Sequence, residues 1–180
     1  DDDLAEQFDE NEDDMHASGI PAARGWRLDP RHADTFAFKD RVLRMFSEQL
    51  GILGWAPEHV APGALPLVPE RVTIKRITNA LTNAVFFVGY DAASLPAPPT
   101  VLLRVYGAGS EALLSRRAEL LILHTLSSLY EIGPHILGTF ANGRVEEFYE
   151  CYSIGQEGMR DLGTPRAEGP AHWVARRMRE

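Results

Sequence analysis

The chain has 180 residues, 44% of them hydrophobic, and a formal net charge of −8. That is room for one buried core, or for one domain and the start of another. No apolar run reaches the length of a membrane span, and no basic segment precedes an apolar one at the start, so neither a span nor a secretory leader is expected.

The charge is localised. Nine of the 26 acids fall within residues 1–14, which hold no Lys or Arg, so the remaining 17 acids face 18 bases and the body is close to neutral. Residues 1–30 therefore read as a solvated acidic tail and linker. The arginines are spread over the whole length, without the basic stripe that nucleic acid requires. Residues 33–50 predict a helix, with Phe38, Val42, Phe46 and Leu50 at four-residue spacing, Asp34 as its cap and Gly51 as its stop. Pro57, Pro62, Pro66 and Pro69 mark a connector, so residues 31–70 form an N-terminal helix with a proline-rich link.

The period then changes to two. Residues 71–77 and 84–90 predict a hairpin around the polar segment 78–83, and residues 100–106 a third strand. Residues 111–130 predict a long helix with leucines on more than one face, packed on two sides and ended by Gly133-Pro134. Residues 135–141 and 144–151 predict a second hairpin, turning at Asn142-Gly143. Residues 157–169 read as a loop and 170–180 as the start of a further helix. The order predicts an α+β fold: a five-stranded, mainly antiparallel sheet with one long helix and N-terminal helices. The chain opens on Asp rather than Met and stops in mid-helix, so a piece of a longer protein is expected.

Two places could carry chemistry. The apolar strand Val101-Leu102-Leu103-Arg104-Val105-Tyr106-Gly107 holds one cation, and the next helix holds Glu119. A strand cation paired with a helix carboxylate is how a protein-kinase-like small lobe grips nucleotide phosphates. An arginine fork can engage phosphate oxygens and a carboxylate together. On spacing alone a plainer reading is favoured, in which Arg104 is an edge-strand surface residue and Glu119 pairs with Arg116 on its own helix. The second place is the turn at 78–83, whose Asn and Thr side chains could bind phosphate oxygens, although polar hairpin turns are common and this one lacks glycine. The six histidines show no metal-ligand spacing, and Cys151 is the sole cysteine. It excludes an internal disulfide, fits a reducing cytoplasmic compartment, and without a paired base reads as a small buried hydrophobe. No nucleophile elbow and no G-x-x-x-x-G-K motif is present.

Four stretches in fixed order resemble the amino-terminal lobe of the choline/ethanolamine kinase family, in its fungal choline kinase form. Ala80-Leu81-Thr82-Asn83-Ala84-Val85-Phe86 is similar to the nucleotide loop G-G-(L/M)-(S/T)-N-x-(L/I)-F. The strand around Arg104 is similar to V-L-L-R-(V/L)-Y-G, and Arg116-Arg117-Ala118-Glu119-Leu120 to D-R-x-x-E. Ile132-Gly133-Pro134 with Asn142-Gly143-Arg144-Val145-Glu146-Glu147-Phe148 is similar to the segment leading into the interlobe hinge. The resemblance covers residues 71–180.

It implies a small lobe over residues 71–152, with 153–180 leaving the hinge toward a second lobe. It implies transfer of the ATP γ-phosphoryl group to choline or ethanolamine, with magnesium, in phospholipid biosynthesis. Asn79, Ala80, Leu81, Thr82 and Asn83 would cover the phosphates, Arg104 would hold them with Glu119 as its partner, and Glu147, Phe148 and Tyr149 would begin the hinge against which adenine lies. Asn79 and Ala80 stand where the family has paired glycines, and Ser115 where it has Asp. The family's catalytic H-x-D and metal-binding D-x-E motifs lie further downstream than this chain extends, so no catalytic or metal residue is assigned and these residues alone are expected to be inactive. The alternatives are a non-catalytic binding or assembly module, with association into a homodimer, and an aminoglycoside-phosphotransferase-like kinase of other specificity.

Overall fold

The computed structural model describes residues 19–57, 66–77, 83–92, 97–107, 116–150, 154–161, 163–164 and 167–178. They form two compact units that divide between Phe148 and Tyr149.

The first unit is built on a six-stranded sheet: β1 (Ala22–Ala23), β2 (Val72–Arg76), β3 (Asn83–Tyr90), β4 (Val101–Tyr106), β5 (Ile136–Phe140) and β6 (Gly143–Glu147). The spatial order is β1-β5-β6-β4-β3-β2, and every pairing is antiparallel except β1 with β5. One strand more than predicted is present, and it lies in the stretch read as linker. Two alanines carry no period-two signal; β1 exists because Thr139 N–H donates to the Pro21 carbonyl (2.9 Å) and Ala141 N–H to that of Trp26 (3.0 Å). The linker is further fixed by Asn142, whose Oδ1 accepts from Leu28 N–H (3.0 Å) while its Nδ2 donates to the Leu28 carbonyl (2.8 Å).

The sheet has two dissimilar faces. On one, Val72, Phe86, Val88, Val101, Leu103, Val105 and Val145 are buried in a common core with Phe38, Val42, Met45, Phe46, Leu50 and Trp55. These last come from helix α1 (Phe36–Arg44), its π-helical continuation Met45–Gln49, and the turn after it. The predicted four-residue spacing thus does face the sheet. Aromatic rings close the core: Phe38 on Phe86 (6.1 Å between centroids) and Phe46 edge-on to Trp55 (5.2 Å), arrangements that add to simple burial. The predicted cap, Asp34, is displaced by Thr35, whose Oγ1 accepts from Phe38 N–H (3.2 Å). A short 3-10 turn at Pro30–His32, capped by Asp29, sets the chain one residue later than the spacing suggests.

Helix α2 (Arg116–Leu129) approaches the other face. Leu120 is buried with Ile136 and Ile20, but Leu121, Ile122 and Leu129 are exposed. The expectation of packing on two sides is therefore not met among the described residues. The helix gives way to Glu131, which adopts φ 52°, a left-handed conformation usually left to glycine. The β5–β6 loop is also shifted by one residue from the prediction. Phe140 pairs with Gly143, so the turn residues are Ala141 and Asn142, and neither has positive φ. Gly143 is a strand residue, paired with Val105 and Phe140, and has no room for a side chain, since a Cβ there would run into the Arg104 carbonyl and the Phe140 ring. Strand β6 ends at Glu147, short of the predicted residue 151.

The second unit contains α3 (Gln156–Arg160), the two-residue strands β7 (Gly163–Thr164) and β8 (Ala167–Glu168), and α4 (Pro170–Arg177). The last is the helix expected from residue 170. Residues 157–169, read as a loop, hold local structure instead, including an Asp161 Oδ1 that accepts from Gly163 N–H (2.8 Å). Cys151 lies outside the described residues.

Candidate functional site

Strand alternation builds the site. Residues paired across neighbouring strands share a face, and the register sets Asn83 opposite Tyr106, Val85 opposite Arg104, and Arg104 opposite Arg144. All of these lie on the face away from α1, as do Leu102 and Glu146, which oppose each other. Strand β4 is interior, between β3 and β6, so Arg104 is not on an edge.

Two arginines directly opposite would repel. Glu146, two residues beyond Arg144, resolves this by placing Oε1 between them: it accepts from Arg144 Nε at 2.5 Å and from Arg104 Nε at 3.3 Å. Arg144 continues the chain, donating from Nη1 to Glu119 Oε1 (2.9 Å) and to the Tyr106 hydroxyl (3.0 Å). Glu119 Oε2 then accepts from Arg116 Nη1 at 3.2 Å. The result is one alternating run, Arg104–Glu146–Arg144–Glu119–Arg116. Its centre is dry: the Arg144 and Glu146 side chains are 4% and 9% exposed. The Tyr106 ring lies under Arg116 Cζ at 3.8 Å, a cation–π contact in a partly desolvated site.

The electrostatics follow from that burial. Burial would raise the Glu119 carboxyl, but the hydrogen bond and charge of Arg144, then those of Arg116, hold it below its ordinary value of 4.5. Burial would favour neutral Arg144; Tyr106 and Glu146 oppose it, and the net direction is upward, so the guanidinium stays charged. Burial pushes the Tyr106 phenol above its ordinary 10.0 against the pull of Arg144.

The predicted pairing of Arg104 with Glu119 is corrected here. The carboxylate that meets Arg104 is Glu146, because strand register brings it diagonally beside Arg104, whereas Glu119 meets the buried Arg144. The pairing of Glu119 with Arg116 on their own helix is seen. Asn83 begins β3 on the same face, its Oδ1 buried and, among the described residues, with no hydrogen-bond partner. Asn79, Ala80, Leu81 and Thr82 lie outside the described residues. Glu147 faces His135, whose N–H donates to Glu147 Oε2 at 3.1 Å. Phe148 packs on Phe87 with ring centroids 4.7 Å apart. Tyr149 opens the second unit and is half exposed. Sequence reasoning assigned nothing to Arg144, Glu146 or Tyr106. The available signal was the Arg-x-Glu alternation of β6, which becomes readable once β6 is placed beside β4. Among the described residues no cluster of three or more His, Cys, Asp or Glu is placed to hold a metal ion.

A mixed α+β sheet with a long helix on one face, a strand arginine and a helix carboxylate joined through a buried ion chain, is a kinase-like small lobe. The family model for choline/ethanolamine kinase matches residues 74–168, just over half of the chain. The chain belongs to the choline/ethanolamine kinase family. It is 36% identical over 129 residues to a choline kinase of Schizosaccharomyces pombe, covering 69% of this chain and 25% of that protein. It is 36% identical over 114 residues to a choline kinase of Saccharomyces cerevisiae (63% and 18%), and 31% identical over 126 residues to an ethanolamine kinase of the same yeast (69% and 21%). The chain thus spans about a fifth to a quarter of the length of these relatives. A crystal structure of choline kinase from Cryptosporidium parvum aligns with 67% of this chain and 29% of its own, at 23% identity and a TM-score of 0.48.

Proposed function

We propose that these residues form the nucleotide-holding part of a cytoplasmic kinase that transfers the γ-phosphoryl group of ATP to the hydroxyl of choline or ethanolamine. The observation that carries this reading is the state of Arg104. Its Nε is engaged by Glu146, and among the described residues its two terminal nitrogens meet no protein acceptor. An arginine held by Nε presents its remaining N–H groups as a fixed fork, the geometry that suits phosphate oxygens. Val85, Leu102 and Phe87 share its face, and Phe148 packs on Phe87, which supplies an apolar surface for a base beside a cationic place for phosphates. Asn83, at the start of β3, is the described end of the loop that would cover them.

Phosphoryl transfer depends on positioning and on neutralising charge at the transferred group. Arg104 can do part of the second task. The described residues offer magnesium no site, and no carboxylate here is placed as a base for the acceptor hydroxyl, since Glu119 and Glu146 are both committed to arginines. We assign the base and the metal acids to residues outside this chain, which covers only about a fifth to a quarter of these relatives.

The test is ADP release by a chain extended beyond Glu180, with choline or ethanolamine as acceptor. Release that depends on either one is expected, with Arg104→Ala raising the KM for ATP. No release with either choline or ethanolamine would overturn the proposal. Titration of ATP into the 180-residue chain separates this reading from a purely structural module: the half-site is expected to bind only weakly.

A further inference from the structure

We propose that Arg144 is a positioning residue for nucleotide binding, acting through Glu146 on Arg104 and never touching the ligand. The inference rests on Arg104 being the phosphate contact. Arg144 is in no position to be one itself: its side chain is 4% exposed and its Nε and Nη1 are spent on Glu146, Tyr106 and Glu119. What it controls is a single oxygen. Glu146 Oε1 accepts from both arginines, closely from Arg144 and at 3.3 Å from Arg104. The shorter bond fixes where that oxygen sits, and the oxygen fixes the edge by which Arg104 is held.

Without Arg144, Glu146 would keep only one cationic neighbour and would swing fully onto Arg104. A carboxylate can take two N–H groups of a guanidinium at once, so Glu146 would then compete with phosphate for the terminal nitrogens. Arg144 thus prevents Glu146 from closing the fork that the nucleotide needs. The same side chain also fixes Glu119, so helix α2 and the sheet share one anchor.

The test is steady-state kinetics on the full-length kinase carrying these residues. Arg144→Gln is expected to raise the KM for ATP about tenfold, within the coupling range of groups in one network, while the KM for the acceptor stays within about twofold. In an Arg104→Ala background the same substitution is expected to change the KM for ATP by less than about twofold, because its means of action is gone. Glu146→Ala supplies a second background: with the competing carboxylate removed, Arg144→Gln is expected to add no further rise. An unchanged KM for ATP in Arg144→Gln, or an equal rise with and without Arg104, would overturn the inference. If Arg104→Ala itself leaves the KM for ATP unchanged, the reading of Arg104 fails, and that result is distinguishable from the others. A merely structural role for Arg144 would lower thermal stability without separating ATP from the acceptor.

Discussion

Asn142→Ala is the substitution that best tests how the first unit is held together. The Asn142 side chain closes a two-point pairing with the backbone of Leu28, 114 positions earlier in the chain. Leu28 is 3% exposed, so water cannot readily replace both partners. Each neutral hydrogen bond contributes about 1 kcal/mol net, and a buried backbone group left unmatched costs about 1–3 kcal/mol. Losing both contacts should destabilise the attachment of residues 20–28 by about 2–3 kcal/mol. At 1.4 kcal/mol per factor of ten, the Leu28 amide should exchange with solvent about 30- to 150-fold faster. The amide of Thr139, which donates to Pro21, should follow it if the segment opens as one unit. Native-state hydrogen exchange on wild type and variant gives the comparison. An acceleration at Leu28 of less than about threefold would show that Asn142 does not hold the segment, and the account of β1 given above would fail with it.

Other substitutions probe the site and the turns. Because the folded carboxyl of Glu119 is lowered, its contribution to stability is present above the ordinary value of 4.5 and is lost as pH falls through the folded value. Glu119→Gln should therefore lower the urea midpoint at neutral pH and converge on wild type under acid; a gap that persists at low pH would refute the assignment. Gly143→Ala should destabilise by about 1–3 kcal/mol, read as a lower urea midpoint, since the new methyl meets the Arg104 backbone and the Phe140 ring. Glu131→Gly should do the opposite, relieving a left-handed residue by up to about 1 kcal/mol, and a falling melting temperature would count against it.

Much of the fold could be read in the residues themselves. Strands β3 and β4 announce themselves by alternation, and the helix at Phe38, Val42 and Phe46 by its four-residue spacing, because each buries a face whose period is a local property. What escaped was non-local. Ala22 and Ala23 become a strand only because the β5–β6 hairpin offers them hydrogen bonds. Asn142-Gly143 carries a strong local turn signal, but Asn142 is occupied with Leu28 and Gly143 with close backbone approach, so the turn moves back to Ala141. The site was legible to the same extent. Arg104 and Glu119 stand out by type, yet their partners are set by strand register, and a strand's neighbour is not written in its own sequence. Arg144 and Glu146 lay within a stretch already quoted for its resemblance, without any sign that they join the other two.

The shared core has a consequence for where this lobe begins. The match to the family model starts at residue 74, inside β2, whereas Phe46 and Trp55, both essentially inaccessible to water, pack on the sheet from well before it. The stretch matched by the family model and the foldable module are therefore different objects. A gene cut at residue 74 would encode the ion chain but strip the opposite face of its cover, leaving Phe86, Val88 and Leu103 bare. Such a product should aggregate rather than fold, and an expression boundary for this lobe belongs upstream of Ile20.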